Sequence, residues 1–313
     1  MIIAEHPAYI QFYPTLTCNQ TCHFCFNRKL EPIQDVTLPV FKRLLTVMAA
    51  AGIPYIDILG GEPTLHSDLM RMVMLISGFQ LKANMSSNGT NLRLLRHLST
   101  TYPKEMLRIG VSLNSDAVSP NLEEYILGYR PVLKSLFNSS GIIPESGRPY
   151  LGLPGIDYFL IYPDVLEEAD LTRGWPFYRY LRSLEAIKRA FRGVEGVFCA
   201  GFIPDIRAYP VLEKVRCPAG TTKLSVLPDG SVFPCYLLFG YPRFALGNLM
   251  FDDFETIWHH PLLDYFRHFE KNRCPKKACE YHPVCHGGCP AISYHFSRDL
   301  DGPDPRCLRA EAP

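Results

Sequence analysis

Residues 17–25 read Thr17-Cys18-Asn19-Gln20-Thr21-Cys22-His23-Phe24-Cys25, three cysteines separated by three and then two residues. Thiolates this close in sequence can face a common centre from one loop. That suits a cuboidal iron–sulfur cluster and leaves one iron without a protein ligand. A zinc site with His23 as a further donor is the alternative reading of the same residues. The loop follows Tyr9–Tyr13, a short apolar run that reads as a first strand.

Outward from this loop, short β-branched or aromatic runs alternate with amphipathic stretches as far as about Phe202. This is the pattern of repeated βα units. Six strands are expected, at Tyr9–Tyr13, Tyr55–Leu59, Leu81–Met85, Leu107–Leu113, Asp157–Tyr162 and Gly196–Phe202. Helical segments such as Leu38–Ala51 and Leu69–Ser77 lie between them. After Trp175, the residues Phe177, Tyr180, Leu181, Leu184, Ile187 and Phe191 recur at three- or four-residue steps, so one face of a helix there covers a sheet. Strands joined by helical crossovers are parallel. The expected α/β architecture is a partial (β/α)6 TIM-like barrel over residues 1–210, with its ligand site at the carboxyl ends of the strands. Asn138–Pro154, rich in Gly, Pro and Ser, reads as a mobile loop or lid. With Asp157 and Tyr158 it is expected to shape the substrate pocket. Beyond residue 210 the texture turns to Cys, Pro, His and Gly, as in a small cysteine-rich domain held by metal over residues 211–313. Within it Leu224–Leu227, a Pro228-Asp229-Gly230 turn and Ser231–Phe233 read as a hairpin.

The 313 residues carry 32 Lys+Arg against 31 Asp+Glu, a formal charge of +1, with no block of like charges. Nucleic acid and anionic membrane surfaces are therefore not expected partners. No apolar run reaches the length of a membrane span, and a cytoplasmic location is expected. Eleven cysteines are many for a reducing compartment, where structural disulfides are not supported. Three stand in the loop, Cys199 stands alone, and seven crowd between Cys217 and Cys307.

The loop resembles the CxxxCxΦC signature of the radical S-adenosylmethionine (SAM) superfamily, with Phe24 as its aromatic residue. In that family the unligated iron chelates SAM, and electron transfer gives a 5′-deoxyadenosyl radical. Gly60-Gly61-Glu62-Pro63, one βα unit further on, matches the family's GGEP motif, which contacts the methionine amino group. The chemistry is consistent: two glycines permit close backbone approach, and Glu62 can accept from an ammonium. Ser87-Asn88 after the third strand, and Ser112 and Asn114 at the end of the fourth, stand where the family reaches the ribose of SAM. Asn114 takes the place of the Asp often found there.

The late cysteines run Cys217, Cys235, then Cys274-x4-Cys279-x5-Cys285-x3-Cys289, then Cys307. They resemble the SPASM extension, which carries two auxiliary [4Fe–4S] clusters in radical SAM enzymes that mature peptides and proteins. Gly247-Asn248-Leu249, followed by Phe254 and Trp258, fits the same extension. The resemblance implies one auxiliary cluster on Cys274, Cys279, Cys285 and Cys307, and a nearer one on Cys217, Cys235 and Cys289. Seven ligands stand where eight would fill both, so one iron is open or another residue closes it. Paired zinc ribbons are the alternative. Cys199 has three readings: a buried apolar residue, the eighth ligand, or a hydrogen-atom donor facing the barrel interior.

The resemblance implies an enzyme with SAM and three [4Fe–4S] clusters that abstracts a hydrogen atom and oxidises or cross-links a ribosomal peptide or protein side chain. An external one-electron reductant such as flavodoxin or ferredoxin is implied with it. A first strand near Tyr9 leaves no room for a leader-recognition domain, so a separate leader-peptide-binding protein, or recognition through the core, is expected. The alternative is a radical epimerase or dehydrogenase of a sugar or aminoglycoside-like molecule, with Cys199 as donor. A non-catalytic iron–sulfur carrier predicts no SAM cleavage.

Overall fold

The computed structural model describes residues 5–115, 117–137, 143–171, 177–197, 217–267, 272–276, 278–279, 282 and 287–308. Ten strands form one sheet: β1 (Tyr9–Phe12), β2 (Tyr55–Ile58), β3 (Lys82–Ser87), β4 (Leu107–Ser112), β5 (Val132–Leu136), β6 (Tyr158–Ile161), β7 (Val194–Val197), β8 (Lys223–Val226), β9 (Ser231–Phe233) and β10 (Gly247–Asn248). Their spatial order is β10-β9-β8-β1-β2-β3-β4-β5-β6-β7. Every pairing from β8 through β1 to β7 is parallel, while β8, β9 and β10 pair antiparallel.

The crossovers carry α1 (Leu38–Ala50), α2 (Leu69–Gly78), α3 (Leu92–Thr101), α4 (Pro120–Tyr129), α5 (Glu168–Leu171) and α6 (Phe177–Ala190). Local chemistry starts and stops them. Asn91 caps α3 through the Leu94 N–H at 3.3 Å, and Ser119 caps α4 through the Leu122 N–H at 3.3 Å, with Pro120 in the first turn. α4 ends on Arg130 in the left-handed region, at φ 50°.

Strand alternation sorts the sheet into two faces. Ile10, Phe12, Ile56, Ile58, Ala83, Met85, Ile109 and Val111 join Phe41, Leu44, Leu45 and Met48 of α1 in the main core. The opposite face, inside the curved sheet, is polar and equally buried: Gln11, Asp57, Asn84, Lys134, Lys223 and Ser225. The register aligns Ser225, Gln11, Asp57 and Asn84 across four strands. Lys223 Nζ donates to Gln11 Oε1 at 2.8 Å and Lys134 Nζ to Ser86 Oγ. No helix among the described residues is long and apolar enough to cross a membrane.

The partial parallel barrel expected from sequence is present, with a seventh crossover strand, β5, between the expected fourth and fifth. The hairpin forms as expected, and β8 continues the barrel sheet alongside β1. Two positional expectations are corrected. The described part of the 138–154 loop is no lid: Ile143 and Tyr150 are packed into the helix-side core, and a Cβ on Gly147 would overlap the Tyr158 hydroxyl. Asp157 precedes β6, at the end away from the cysteine loop, and pairs with Arg108. Tyr158 is buried on the helix side, donating to Ser135 Oγ at 2.9 Å. Neither lines a pocket at the strands' carboxyl ends.

Candidate metal centre

The loop from Tyr13 to Cys25 leaves the carboxyl end of β1 and is splinted against the turn that leaves β2. Leu59 N–H donates to Phe12 O, Gly61 N–H to Thr15 O and Glu62 N–H to Thr17 O, each at 2.8 Å. The parallel pairing of β1 with β2 thus continues past both strands. Only glycine fits there. A Cβ on Gly60 (φ +124°) would come 2.3 Å from Thr15 O, and one on Gly61 2.1 Å from Thr17 O. Asn27 Nδ2 donates to Leu16 O at 2.5 Å and Cys25 N–H to Cys22 O at 3.1 Å, which fixes the loop's far end.

Cys18 is exposed, while Cys22 and Cys25 are half-buried, as is Phe24, whose ring meets that of His23 edge-on. Burial pushes the Cys22 and Cys25 thiols up, and the neighbouring Cys18 adds to the shift in both. Closely set thiols of this kind are a donor set suited to a cationic centre, which binds the thiolates and expels their protons. A ring of amides reaches these sulfurs. Asn88 Nδ2 stands 4.0 Å from Cys18 Sγ and 2.8 Å from Asn19 Oδ1; Asn114 Nδ2 stands 3.8 Å from Cys22 Sγ and 3.3 Å from Gln20 Oε1.

Glu62 is fully buried. Its Oε1 accepts from Thr64 N–H (3.1 Å), Thr64 Oγ1 (2.7 Å) and Ser87 Oγ (2.9 Å), and its Oε2 from Asn88 N–H at 2.7 Å. Glu62 therefore ties the ends of β2 and β3 together, and Pro63 opens the one-turn helix beside it. Ser112 is half-buried at the end of β4. Asn19, Gln20 and Thr90, which the sequence does not mark as site residues, belong to the same network; the Asn88-Gly89-Thr90 turn is the signal that points to it. Lys134 was missed along with β5.

The late cysteines fall into two groups. Cys235 is buried in a second apolar core with Tyr13, Tyr236 and Phe239, and Cys217, Cys289 and Phe26 pack against it. Burial pushes the Cys289 thiol up to about 12, and the neighbouring Cys217 adds to the shift. Cys307 instead feels Cys274 and Cys279. Cys199 and Cys285 lie outside the described residues, as does the chain around position 210. Among the described residues, no three Cys, His, Asp or Glu side chains converge as one metal ion would require. The donor set in each group is thiol, set in apolar surroundings around Cys235, and fits iron–sulfur clusters.

Residues 12–136 match the radical SAM superfamily, and residues 217–290 match SPASM, an iron–sulfur cluster-binding domain. The antilisterial bacteriocin subtilosin biosynthesis protein AlbA of Bacillus subtilis is 24% identical over 307 residues, covering 90% of this chain and 67% of that protein. Mycofactocin maturase MftC of Mycolicibacterium smegmatis is 21% identical over 346 residues, covering 97% and 83%. Among solved structures, Streptococcus suis SuiB bound to S-adenosylmethionine superposes with a TM-score of 0.76 at 19% identity, over 97% of this chain and 78% of that one. That likeness is one of fold. With the first motif set inside one matched stretch and six late cysteines inside the other, this chain belongs to the radical SAM superfamily and carries a SPASM domain C-terminal to its radical SAM domain.

Proposed function

We infer that this chain is a peptide-modifying radical SAM enzyme holding three [4Fe–4S] clusters: one on Cys18, Cys22 and Cys25, and two on the late cysteines. The splint between the first cysteine loop and the Gly60–Pro63 turn carries the reading, because it holds three thiols and a glycine-lined backbone edge in one place. When bound, the first cluster and SAM supply reductive SAM cleavage and abstraction of a substrate hydrogen atom. The chain's own residues orient that chemistry. Gly60 and Gly61 hold the cysteine loop against β2, Glu62 locks the ends of β2 and β3, and Asn88 and Asn114 set polar donors beside the sulfurs. Beneath them the sheet's inner face is polar and buried, with Gln11, Asp57, Asn84 and Lys134.

A ribosomal peptide or protein side chain as substrate is supported by relatives named for bacteriocin biosynthesis and mycofactocin maturation, and by the fold shared with SuiB, solved with its precursor peptide SuiA. Bound on the late cysteines, auxiliary clusters would accept the electron that a substrate radical loses after hydrogen abstraction. A flavodoxin- or ferredoxin-like reductant supplies the separate electron that cleaves SAM, and leader recognition comes from a separate protein or from the core. The test is anaerobic reconstitution, reduction and incubation with SAM, then with a short peptide encoded beside the gene. 5′-Deoxyadenosine together with a peptide lighter by two hydrogen atoms is expected. Absence of 5′-deoxyadenosine with all clusters loaded would overturn the reading.

A further inference from the structure

On the inner face of the sheet, one contact spans three strands. The register aligns Ser86 of β3 with Gly110 of β4 and Gly110 with Val132 of β5. Strand alternation turns all three to the same side, together with Lys134, two residues beyond Val132. Lys134 Nζ nevertheless reaches Ser86 Oγ, on the strand beyond β4. It crosses β4 beside Gly110, where no side chain stands in the way. The far flank of this face is apolar: Val132, Phe159 and Ile161 pack together, apart from the main core.

An ammonium can only donate, so the Ser86 oxygen is the acceptor in this pair and its own proton points elsewhere. Among the described residues no acceptor meets that proton. Ser86 is half-buried, while Lys134 behind it is 3% exposed. The serine therefore presents an O–H to the space inside the curved sheet, and the charge behind it makes that O–H a better donor. Asp57 and Glu62 already face the ammonium, so the spot has no surplus positive charge to hold a further anion. A neutral acceptor fits, and in a peptide the abundant neutral acceptor is the carbonyl. Ser86 also stands two residues before Asn88, about 6–7 Å deeper along the strand than the amides beside the cysteine sulfurs.

We propose that Ser86 is a substrate-binding residue that donates to a backbone carbonyl beside the peptide residue being modified, and that Lys134 is its positioning residue, holding the hydroxyl from behind. This role rests on the peptide-modifying function inferred above and names one point at which the peptide is gripped.

Equilibrium binding to the reconstituted, SAM-loaded full chain tests the assignment, with a fluorophore-labelled copy of the short peptide encoded beside the gene as probe and its anisotropy as readout. Ser86→Ala is expected to raise the Kd for this peptide about tenfold, the worth of one lost hydrogen bond. The Kd for SAM is expected to stay unchanged, and Ser86→Thr, which keeps the hydroxyl, to bind the peptide as wild type does. Lys134→Met should weaken the peptide to a similar degree, and the double variant no further than the worse single one, as for two groups acting as a unit. A peptide whose amide after the modified residue is replaced by an ester offers a poorer carbonyl acceptor. It should bind wild type more weakly than the native peptide, by a factor that shrinks in Ser86→Ala. If Lys134→Met loses iron or fails to fold, the Ser86 variants carry the test. Unchanged peptide affinity in Ser86→Ala, SAM affinity falling as far as peptide affinity, or the same ester penalty in wild type and Ser86→Ala overturns the assignment. Wild type that makes no 5′-deoxyadenosine with SAM and the peptide would instead overturn the peptide-modifying function itself, before any variant is compared.

Discussion

Glu62 illustrates how one side chain in a motif serves two ends. Its letters suggest an acceptor for an ammonium, while its position gives both oxygens to the chain: three donors on Oε1 and the Asn88 N–H on Oε2. The carboxylate fixes the height of the β3 end relative to β2, and thereby the distance from Asn88 to Cys18. Glu62→Gln turns one acceptor into an NH2 group, and in either amide orientation that group faces a donor. The expected loss is about 1–3 kcal/mol, the cost of a buried donor left without an acceptor. Urea unfolding of the metal-free chain measures it, and an unchanged midpoint would show that the network relaxes around the amide.

At the scale of elements, β5 is the lesson. Val132-Leu133-Lys134-Ser135-Leu136 was not read as a strand because a lysine stands at its centre and α4 runs almost directly into it, broken only by left-handed Arg130 and Pro131. What makes it a strand is tertiary: Lys134 faces a polar sheet interior where Ser86, Asp57 and Glu62 surround its ammonium. The cysteine loop and the Gly60–Pro63 turn were legible because their chemistry lies in consecutive residues. Asn19 and Gln20 were not, since their partners Asn88, Thr90 and Asn114 are distant in sequence. Burial pushes Lys134 from the ordinary 10.5 down to about 8, with Asp57 and Glu62 opposing. Between those values the unfolded chain binds a proton that the folded chain does not, so stability rises with pH across that window, and the full penalty stands below it. Urea midpoints from about pH 8 to about pH 10 should climb in wild type relative to Lys134→Met; parallel curves would contradict a buried, displaced lysine.

At the scale of the molecule, the two matched regions share one sheet and one apolar seam. Phe26, directly after Cys25, meets the Tyr236 ring directly after Cys235, with centroids 4.8 Å apart, and Tyr13 stands edge-on to Phe239 at 5.0 Å. A chain ended at Pro210 would lack β8 and leave one backbone edge of β1 unpaired, with Tyr13 deprived of Tyr236 and Phe239. Such an edge recruits other chains, so that fragment should aggregate or fail to bind iron at Cys18, Cys22 and Cys25, as size-exclusion chromatography and iron analysis would show. A monomeric, iron-loaded fragment would mean that β1 tolerates an open side. The pairing of β1 with β8 also has a consequence in time. Strand β1 leaves the ribosome long before β8, its partner on that side, and long-range parallel pairing is slow to close. The loop that carries Cys18 therefore gains its permanent footing only once β8 has been made.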